Sequence, residues 1–513
     1  MIPLVLAVLL GAGAPASRPA ASPPSSRTLE LRGIGTVHVS APEGRPRRAV
    51  ILLSGEGGDD HELQALADAL AAGGSLVLAV DTPGYLARHR ARHCAYPAGD
   101  LESLAQHVEK ELGLEEYVRP FLVGHSQGAA AVWAALAQAP EGTFAGAVAL
   151  APCAEKPLGV PLCAGAGPAP RSTPQGDLPA DGARPSAPLA IVAGADDRAC
   201  PAASAQAFGR GRALAVTVLP KAAHSLVPVS TWAAATEAEL ERIEAHGQAA
   251  GVAAQSAPGA GTPATPPGAT APAGAGASPA APPPQATAAA PAGPDVKNLP
   301  LVEVPAAKPG PRLAVLLTGD GGWVGLDKGM GRALSDAGVG VVGLDSLRYF
   351  WRRRSPEETA ADVARIFAHY RAAWGRSELV LIGYSRGADI VPFIATRLPP
   401  DQRAALKLVA MLGPQTFAEF EVHMVDLFSS VRRSAATSTE AAVRASGGAT
   451  RFLCLQGADE SDSLCPHLVD LPWVARVVLQ GGHHFDRDYA NLARIVNDAA
   501  SGASPGSGGS PSP

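Results

Sequence analysis

Two serines in the chain lie in the pattern Gly-x-Ser-x-Gly, which is typical of nucleophilic serines. Ser126 lies in Gly-His-Ser-Gln-Gly, and Ser385 lies in Gly-Tyr-Ser-Arg-Gly. Each motif follows a short apolar run and precedes a helical pattern, so each serine is predicted on a sharp turn between a strand and a helix, with its hydroxyl exposed. The pattern is weak by itself, but both copies occupy equivalent places in a repeated sequence. We therefore predict that both serines are nucleophiles.

A nucleophilic serine needs a histidine base and a carboxylate that orients the base, here in the chain order Ser, Asp or Glu, His. In the first half, Asp197 follows one apolar run and His224 follows the next. Asp196 is an alternative acid, but the spacing to Pro201 favours Asp197. The sequence therefore predicts a triad of Ser126, Asp197 and His224.

The second half offers more than one choice for the acid and the base. Alignment on a shared Cys-Pro pair selects Asp462 as the acid, with Asp459 and Glu460 as alternatives. Counting from the preceding apolar run selects His484 as the base, which leaves His483 as a pocket residue. The predicted triad is Ser385, Asp462 and His484.

The oxyanion that forms during acyl transfer needs two backbone N–H donors. One is expected from the residue after the nucleophile, which is Gln127 or Arg386. The other is expected from a glycine-rich loop after an early strand, where Glu56 and Asp320 lie in Gly-Glu-Gly-Gly and Gly-Asp-Gly-Gly. Walker-type phosphate binding is disfavoured because no lysine follows these glycines at the required position.

The elements that position these groups are predicted from alternating apolar runs and helical patterns. Uninterrupted apolar runs are typical of parallel strands buried on both faces, and such sheets carry their sites at the carboxyl ends of strands. The motifs of the two halves recur at offsets of about 260 residues, which indicates an internal duplication. The predicted fold class is α/β, with two tandem domains, each a mainly parallel sheet covered by helices on both faces. In the second half the runs are 313–319, 339–345, 378–385, 406–413, 450–457 and 474–481.

Composition separates these domains from other segments. The chain has 513 residues, a net charge of −5 and only 17% charged residues, which disfavours a nucleic-acid-binding protein. A region of Ala, Pro and Gly without charge cannot bury enough apolar area to fold. No CxxC spacing points to a metal, and we predict no cofactor and no metal. The predicted organisation is a signal peptide at 1–16, a domain at 29–246, a disordered linker at 247–297, a domain at 298–499 and a disordered tail at 500–513.

Six cysteines fit an oxidising compartment, although buried free thiols are an alternative. The second half contains only Cys454 and Cys465, so we predict that these two form a disulfide. The pairing of the four cysteines in the first half is left open.

Aromatic residues mark two further segments as pocket candidates. The insertion 414–448 has Phe and Met at mostly helical spacing, which fits either an apolar lid or a core helix. The basic loop 348–354 contains Tyr349 and Trp351, which we predict to contact substrate at the pocket mouth; a solvated loop is the alternative.

The second half resembles the bacterial virulence protein VirJ, and the whole chain resembles the two-domain VirJ/AcvB family. The resemblance implies a periplasmic α/β-hydrolase that cleaves aminoacylated phosphatidylglycerol, notably lysyl-phosphatidylglycerol, in peripheral contact with the outer leaflet of the inner membrane. A serine esterase of another substrate and a non-catalytic factor of type IV secretion are the alternatives. The segments that carry the resemblance are 318–323, 344–351, 355–359, 382–389, 454–466 and 481–485.

Such a lipid presents a cationic amine close to its ester. A site for it is expected to place a carboxylate near the nucleophile. By position in the sequence, Asp320 in the glycine loop and Asp389, one helical turn after Ser385, are the candidates.

Overall fold

The computed structural model describes residues 25–256, apart from 32, 59, 91–93, 154–155 and 181, together with 293–422 and 437–503. The segment 1–16 predicted as a signal peptide lies outside the described residues. So do 257–292 of the predicted linker, 504–513 of the predicted tail and 423–436 of the insertion. Below, the first half means residues 25–256 and the second half means residues 293–503.

The first half contains an eight-stranded sheet in the order β1-β2-β4-β3-β5-β6-β9-β10. All neighbours from β4 to β10 in that order are parallel, whereas β1 and β2 are antiparallel. The elements are β1 Ser25–Leu31, β2 Gly35–Ala41, β3 Arg48–Leu53, α1 His61–Ala72, β4 Ser75–Val80, α2 Thr82–His89, α3 Pro97–Glu111, β5 Pro120–His125, α4 Gln127–Gln138, β6 Gly146–Leu150, β7 Arg171–Thr173, β8 Gly176–Leu178, β9 Leu189–Gly194, α5 Ala202–Arg212, β10 Ala215–Leu219 and α6 Val229–Ser256.

The second half repeats this plan with a seven-stranded sheet in the order β11-β13-β12-β14-β15-β18-β19. Only β11 runs antiparallel to its neighbour. The elements are β11 Leu301–Val304, β12 Arg312–Leu317, α7 Gly325–Asp336, β13 Gly340–Leu344, α8 Ser346–Tyr349, α9 Pro356–Trp374, β14 Glu378–Tyr384, α10 Arg386–Ala395, α11 Pro400–Ala405, β15 Leu406–Leu412, β16 Phe417–Ala418, β17 Thr437–Ser438, α12 Thr439–Ala445, β18 Phe452–Gly457, β19 Val474–Leu479 and α13 Tyr489–Ala500.

The predicted α/β class is confirmed, because apolar strands form the centre of both sheets. Every residue of β3, β4 and β9 is buried. Local signals fix the helices that cover them: α9 begins with a capping box in which Ser355 and Glu358 each accept from the other's backbone N–H, with Pro356 as the first helical residue. The carboxyl ends of the parallel strands therefore meet at one edge of each sheet, where the sites lie.

The predicted linker differs from the structure at both ends. Helix α6 continues to Ser256, inside the segment predicted as disordered. On the other side, Val296 and Leu299 are buried in the core of the second half, so the packed chain begins before residue 298. Among the described helices none is long and apolar enough to cross a membrane.

Three disulfides are present in the described residues. Cys454 pairs with Cys465, as the sequence suggests for the second half. The pairing left open in the first half is Cys94–Cys163 and Cys153–Cys200.

The two halves contact each other through α3 and the segments around it. Trp351 donates its indole N–H to the Leu114 carbonyl at 2.7 Å, and its ring lies under the Lys110 ammonium. Tyr117 of the first half belongs to the same buried cluster as the second-half core. Arg487 donates to the Ala166 carbonyl at 2.8 Å. The first half therefore forms a fixed wall beside the second.

Candidate active site

Both predicted nucleophiles lie on strained turns between a strand and a helix. Ser126 joins β5 to α4 with φ 51° and ψ −109°, and Ser385 joins β14 to α10 with φ 52° and ψ −121°. Positive φ at a residue other than glycine is costly and persists where packing imposes it. The flanking glycines are required by close approach: a Cβ on Gly383 would lie 2.2 Å from the Gly387 carbonyl oxygen. The turn therefore projects each serine from the carboxyl end of its sheet.

The first-half triad is assembled as the sequence predicts. His224 Nε2 lies 3.0 Å from Ser126 Oγ, and His224 Nδ1 lies 2.8 Å from Asp197 Oδ2. The Asp197 side chain is fully buried, and its other oxygen accepts from the Cys200 N–H at 2.8 Å. These contacts hold the imidazole with Nε2 facing the serine, which is the arrangement a general base requires.

A carboxylate competes for the same hydroxyl. Ser126 Oγ also donates to Glu56 Oε2 at 2.7 Å, and Ser126 is only 1% exposed. Lys156 forms an ion pair with Glu56 and holds it there. A hydroxyl has one proton, so donation to Glu56 leaves none to donate to His224. The first-half nucleophile is therefore covered and its proton is engaged.

In the second half the structure pairs a different acid and base from those predicted. His483 Nδ1 lies 2.5 Å from Glu460 Oε1, the contact that corresponds to His224 and Asp197. A second contact supports the equivalence: the residue before each serine points at the carbonyl of the base, with His125 Nε2 2.7 Å from the His224 oxygen and the Tyr384 hydroxyl 3.4 Å from the His483 oxygen. Glu460 and His483 therefore form the acid–base pair of the second half, and His483 lines the same cavity as Ser385.

The predicted residues Asp462 and His484 have other contacts. Asp462 Oδ2 accepts from Gln415 Nε2 at 3.3 Å on the surface. His484 Nδ1 lies 2.9 Å from the Tyr384 hydroxyl. The structure therefore does not bring Asp462 and His484 together as acid and base.

Loop lengths explain both errors. The loop after β19 is one residue shorter than the loop after β10, so counting from the strand overshoots to His484. The Cys-Pro pairs used for the alignment are not equivalent, because Cys200 bonds to Cys153 whereas Cys465 bonds to Cys454. Backbone contacts align the acids instead: Asp196 N donates to Ala222 O, and Asp459 N donates to Gly481 O. The next residues are Asp197 and Glu460.

Electrostatics favour a charged acid beside the base. Burial alone would raise the pKa of Glu460, but hydrogen bonds from His483 and from the Gly457 N–H at 2.6 Å outweigh burial and lower that pKa. Burial and the neighbouring His483 lower the pKa of His484, which favours its neutral form. Glu460 is therefore ionised at neutral pH, ready to stabilise the imidazolium of His483.

The residues predicted as oxyanion donors lie on the elements expected for them. Gln127 and Arg386 are the first residues of α4 and α10, where backbone N–H groups lack intrahelical acceptors. Arg386 forms an ion pair with Asp320 in the glycine loop and donates to the Glu419 carbonyl at 3.1 Å. The guanidinium therefore offsets the charge of Asp320 next to the place where an oxyanion would form. Asp320 corresponds to Glu56 of the first half.

Three residues predicted to contact substrate do not fit that role. Asp389 is buried and accepts from the Gln415 N–H at 2.6 Å, so it ties α10 to the loop after β15. The Tyr349 hydroxyl donates to Asp362 at 2.7 Å from a buried position, and Trp351 is buried against the first half. The loop 348–354 thus builds the contact between the halves. Of the aromatic insertion, 423–436 lies outside the described residues.

A cavity of about 650 Å³ lies over the second-half site. The second half contributes Ser385, His483 and His484, and the first half contributes the wall around Cys163. The sequence alone does not predict Glu102 and Asp327, the other two acidic residues of this cavity. No local pattern marks them, because Glu102 comes from the first half and Asp327 from the second. The additional polar residues that line the cavity are Tyr96, Glu102, Asp327, Tyr384, Arg487 and Tyr489.

Comparison with known proteins agrees with this architecture. Residues 311–503 match the family model of the bacterial virulence protein VirJ, and residues 44–170 match that of serine aminopeptidase S33. No curated protein matches the chain.

Similar solved structures include TT1662 from Thermus thermophilus, Est1E from Butyrivibrio proteoclasticus and an alpha-beta serine hydrolase homologue from Coxiella burnetii. TT1662 is 20% identical over 43% of this chain and 98% of its own, with a TM-score of 0.31. Est1E is 18% identical over 43% and 99%, with a TM-score of 0.30. The Coxiella protein is 17% identical over 39% and 89%, with a TM-score of 0.27.

The two family matches fall on the two sheets that carry the strained serines, and each match includes its Gly-x-Ser-x-Gly motif. The two halves therefore carry serine-hydrolase motifs on α/β sheets, and the second half is similar to the VirJ family over residues 311–503.

Proposed function

We propose that the protein hydrolyses the ester bond of aminoacylated phosphatidylglycerol, above all lysyl-phosphatidylglycerol, at Ser385. The observation that carries the proposal is the cavity over Ser385 and His483, because its wall includes the carboxyl groups of Glu102 and Asp327. Carboxylates in a partly desolvated cavity favour a substrate that carries an ammonium group. Lysyl-phosphatidylglycerol has two such groups, one next to its ester and one at the end of the lysyl side chain.

The second half is the working site in this proposal. Ser385 is partly exposed and lines a cavity large enough for an aminoacyl group, whereas Ser126 is 1% exposed and bonded to Glu56. The matched family model also covers Ser385.

The proposed chemistry is that of a Ser-His-acid triad, with Ser385 and His483 lining one cavity. Ser385 Oγ attacks the ester carbonyl while His483 takes the hydroxyl proton and Glu460 holds the opposite ring nitrogen. In this proposal the backbone N–H groups of Arg386 and Asp320 stabilise the tetrahedral oxyanion. Collapse breaks the bond to the glycerol oxygen, which receives the proton from His483. Water then hydrolyses the aminoacyl ester on Ser385 and releases the amino acid.

The proposed place of action is the periplasm, at the outer leaflet of the inner membrane. The three disulfides support an oxidising compartment, since such bonds persist in secreted and periplasmic proteins. The apolar residues 2–14 support export.

The test is release of free lysine from vesicles of lysyl-phosphatidylglycerol and phosphatidylglycerol by the purified chain. We expect release by wild type and by Ser126→Ala, and none by Ser385→Ala. Release by Ser385→Ala at the wild-type rate, or no release by wild type, contradicts the proposal.

A further inference from the structure

The cavity over Ser385 contains carboxylates that differ in their partners. Asp320 forms an ion pair with Arg386, so its charge is offset. Arg487 also lines the cavity, but its guanidinium donates to the carbonyls of Gly165 and Ala166 in the first half. In the described part of the chain, Glu102 and Asp327 form no such ion pair. The cavity wall therefore carries two carboxyl groups without a cationic partner, and burial raises the pKa of both, so a bound cation would favour their ionised forms.

Asp327 lies in the first turn of α7 and is 2% exposed. Its Oδ1 is buried without a hydrogen-bond partner in the described part of the chain. Buried polar atoms in native proteins nearly always have a partner, and an exception calls for an explanation. One explanation is that a hydrogen-bond donor of a bound ligand contacts this oxygen, because Asp327 lines the cavity.

Glu102 comes from α3 of the first half, and α3 is held in place from both sides. Within the first half, the Cys94–Cys163 bridge fixes the cavity wall next to it. Across the contact between the halves, Lys110 of the same helix binds the Trp351 carbonyl. Burial, with a smaller contribution from the charge of Asp320, raises the pKa of Glu102 to about 8. A cation at the same place would favour the ionised carboxylate.

We propose that Glu102 and Asp327 form a subsite for the ammonium group of the acyl part of the ester, so that the first half supplies a specificity-determining residue to the site of the second half. This inference rests on the function proposed above. It gives the first half a role that does not need its own serine. It also replaces the earlier candidates, since Asp320 pairs with Arg386 and Asp389 ties down a loop.

The experiment uses the full chain and three soluble glycerol esters of similar length: lysyl, norleucyl and hexanoyl. They carry two, one and no ammonium groups. We expect Glu102→Gln and Asp327→Asn each to lower kcat/KM for the lysyl ester, relative to the hexanoyl ester, by about 10- to 150-fold, the range for a hydrogen bond to a charged group. The matched control is Glu43→Gln, an exposed glutamate of the first half, which should leave the ratio at its wild-type value.

Labelling of Ser385 by a fluorophosphonate, measured for every variant, separates lost specificity from lost folding. Equal losses for the lysyl and hexanoyl esters, in variants that still label, overturn the subsite. An unchanged preference for the lysyl ester in both variants also overturns it, while leaving the proposed function intact. If wild type labels but cleaves the hexanoyl ester as fast as the lysyl ester, both the subsite and the proposed substrate fail.

Discussion

Replacing Glu460 by glutamine is predicted to abolish most activity while leaving the fold intact. Glu460 Oε1 lies 2.5 Å from His483 Nδ1, and its side chain is only 9% exposed. Glutamine keeps the size of the side chain but removes the charge that stabilises the imidazolium and can hold the wrong ring tautomer. The corresponding change in a serine protease triad lowers kcat about 10⁴-fold, which is about 5.5 kcal/mol of transition-state stabilisation. We expect a loss on the order of 10³- to 10⁴-fold here.

The matched control is Asp462→Asn, which removes a surface carboxylate two residues away. Its hydrogen bond to Gln415 is 3.3 Å long and exposed, so we expect a change in kcat of less than about threefold. The assay is the steady-state rate on the hexanoyl glycerol ester, with circular dichroism to verify folding. A large loss in Asp462→Asn together with a small loss in Glu460→Gln would refute the assignment of the acid.

Three further predictions concern the first half and its contact with the second. Glu56→Gln weakens the competing acceptor of the Ser126 proton, so fluorophosphonate labelling of Ser126 should become faster; an unchanged rate would show that Glu56 does not hold the serine back. Burial raises the pKa of Glu109 to about 8, so the folded chain retains a proton that the unfolded chain releases near 4.5, and stability should fall as pH rises between these values. Glu109→Gln should flatten this fall in Tm, and an identical pH profile would contradict the reasoning. A protease site inserted within 257–292 allows the linker to be cut, and size-exclusion chromatography then shows whether the two halves stay together. The halves should co-elute in the otherwise wild-type chain and separate in Trp351→Ala, which loses the hydrogen bond to Leu114. Separation of the wild-type fragments would refute a stable contact.

Sequence reasoning was sufficient where a function depends on short-range pattern. Uninterrupted apolar runs located six of the seven sheet strands of the second half to within a few residues and missed the edge strand β11. The turns at Ser126 and Ser385 were located because a strained strand-to-helix turn needs glycines on both sides. The first-half acid and base were located because only one histidine followed the right strand.

Sequence reasoning failed where loop length or tertiary contact decided the outcome. One missing residue after β19 moved the expected base from His483 to His484, and non-equivalent disulfides moved the expected acid to Asp462. The sequence predicts Trp351 as an aromatic residue at the mouth of a pocket in a basic loop. In the structure, residues of the first half bury it. Glu102 could not be predicted for the same reason.

The central claim is that the second half is the working serine hydrolase and that Ser385 is its nucleophile. The most direct measurement treats the full chain briefly with a fluorophosphonate and identifies the modified serine by mass spectrometry of its peptides. Release of lysine from lysyl-phosphatidylglycerol is measured in the same sample. We predict that the Ser385 peptide is modified first, that lysine release falls in proportion, and that modification of Ser126 lags behind. Modification of Ser126 first with a parallel loss of activity, or full activity after complete modification of Ser385, would contradict the claim.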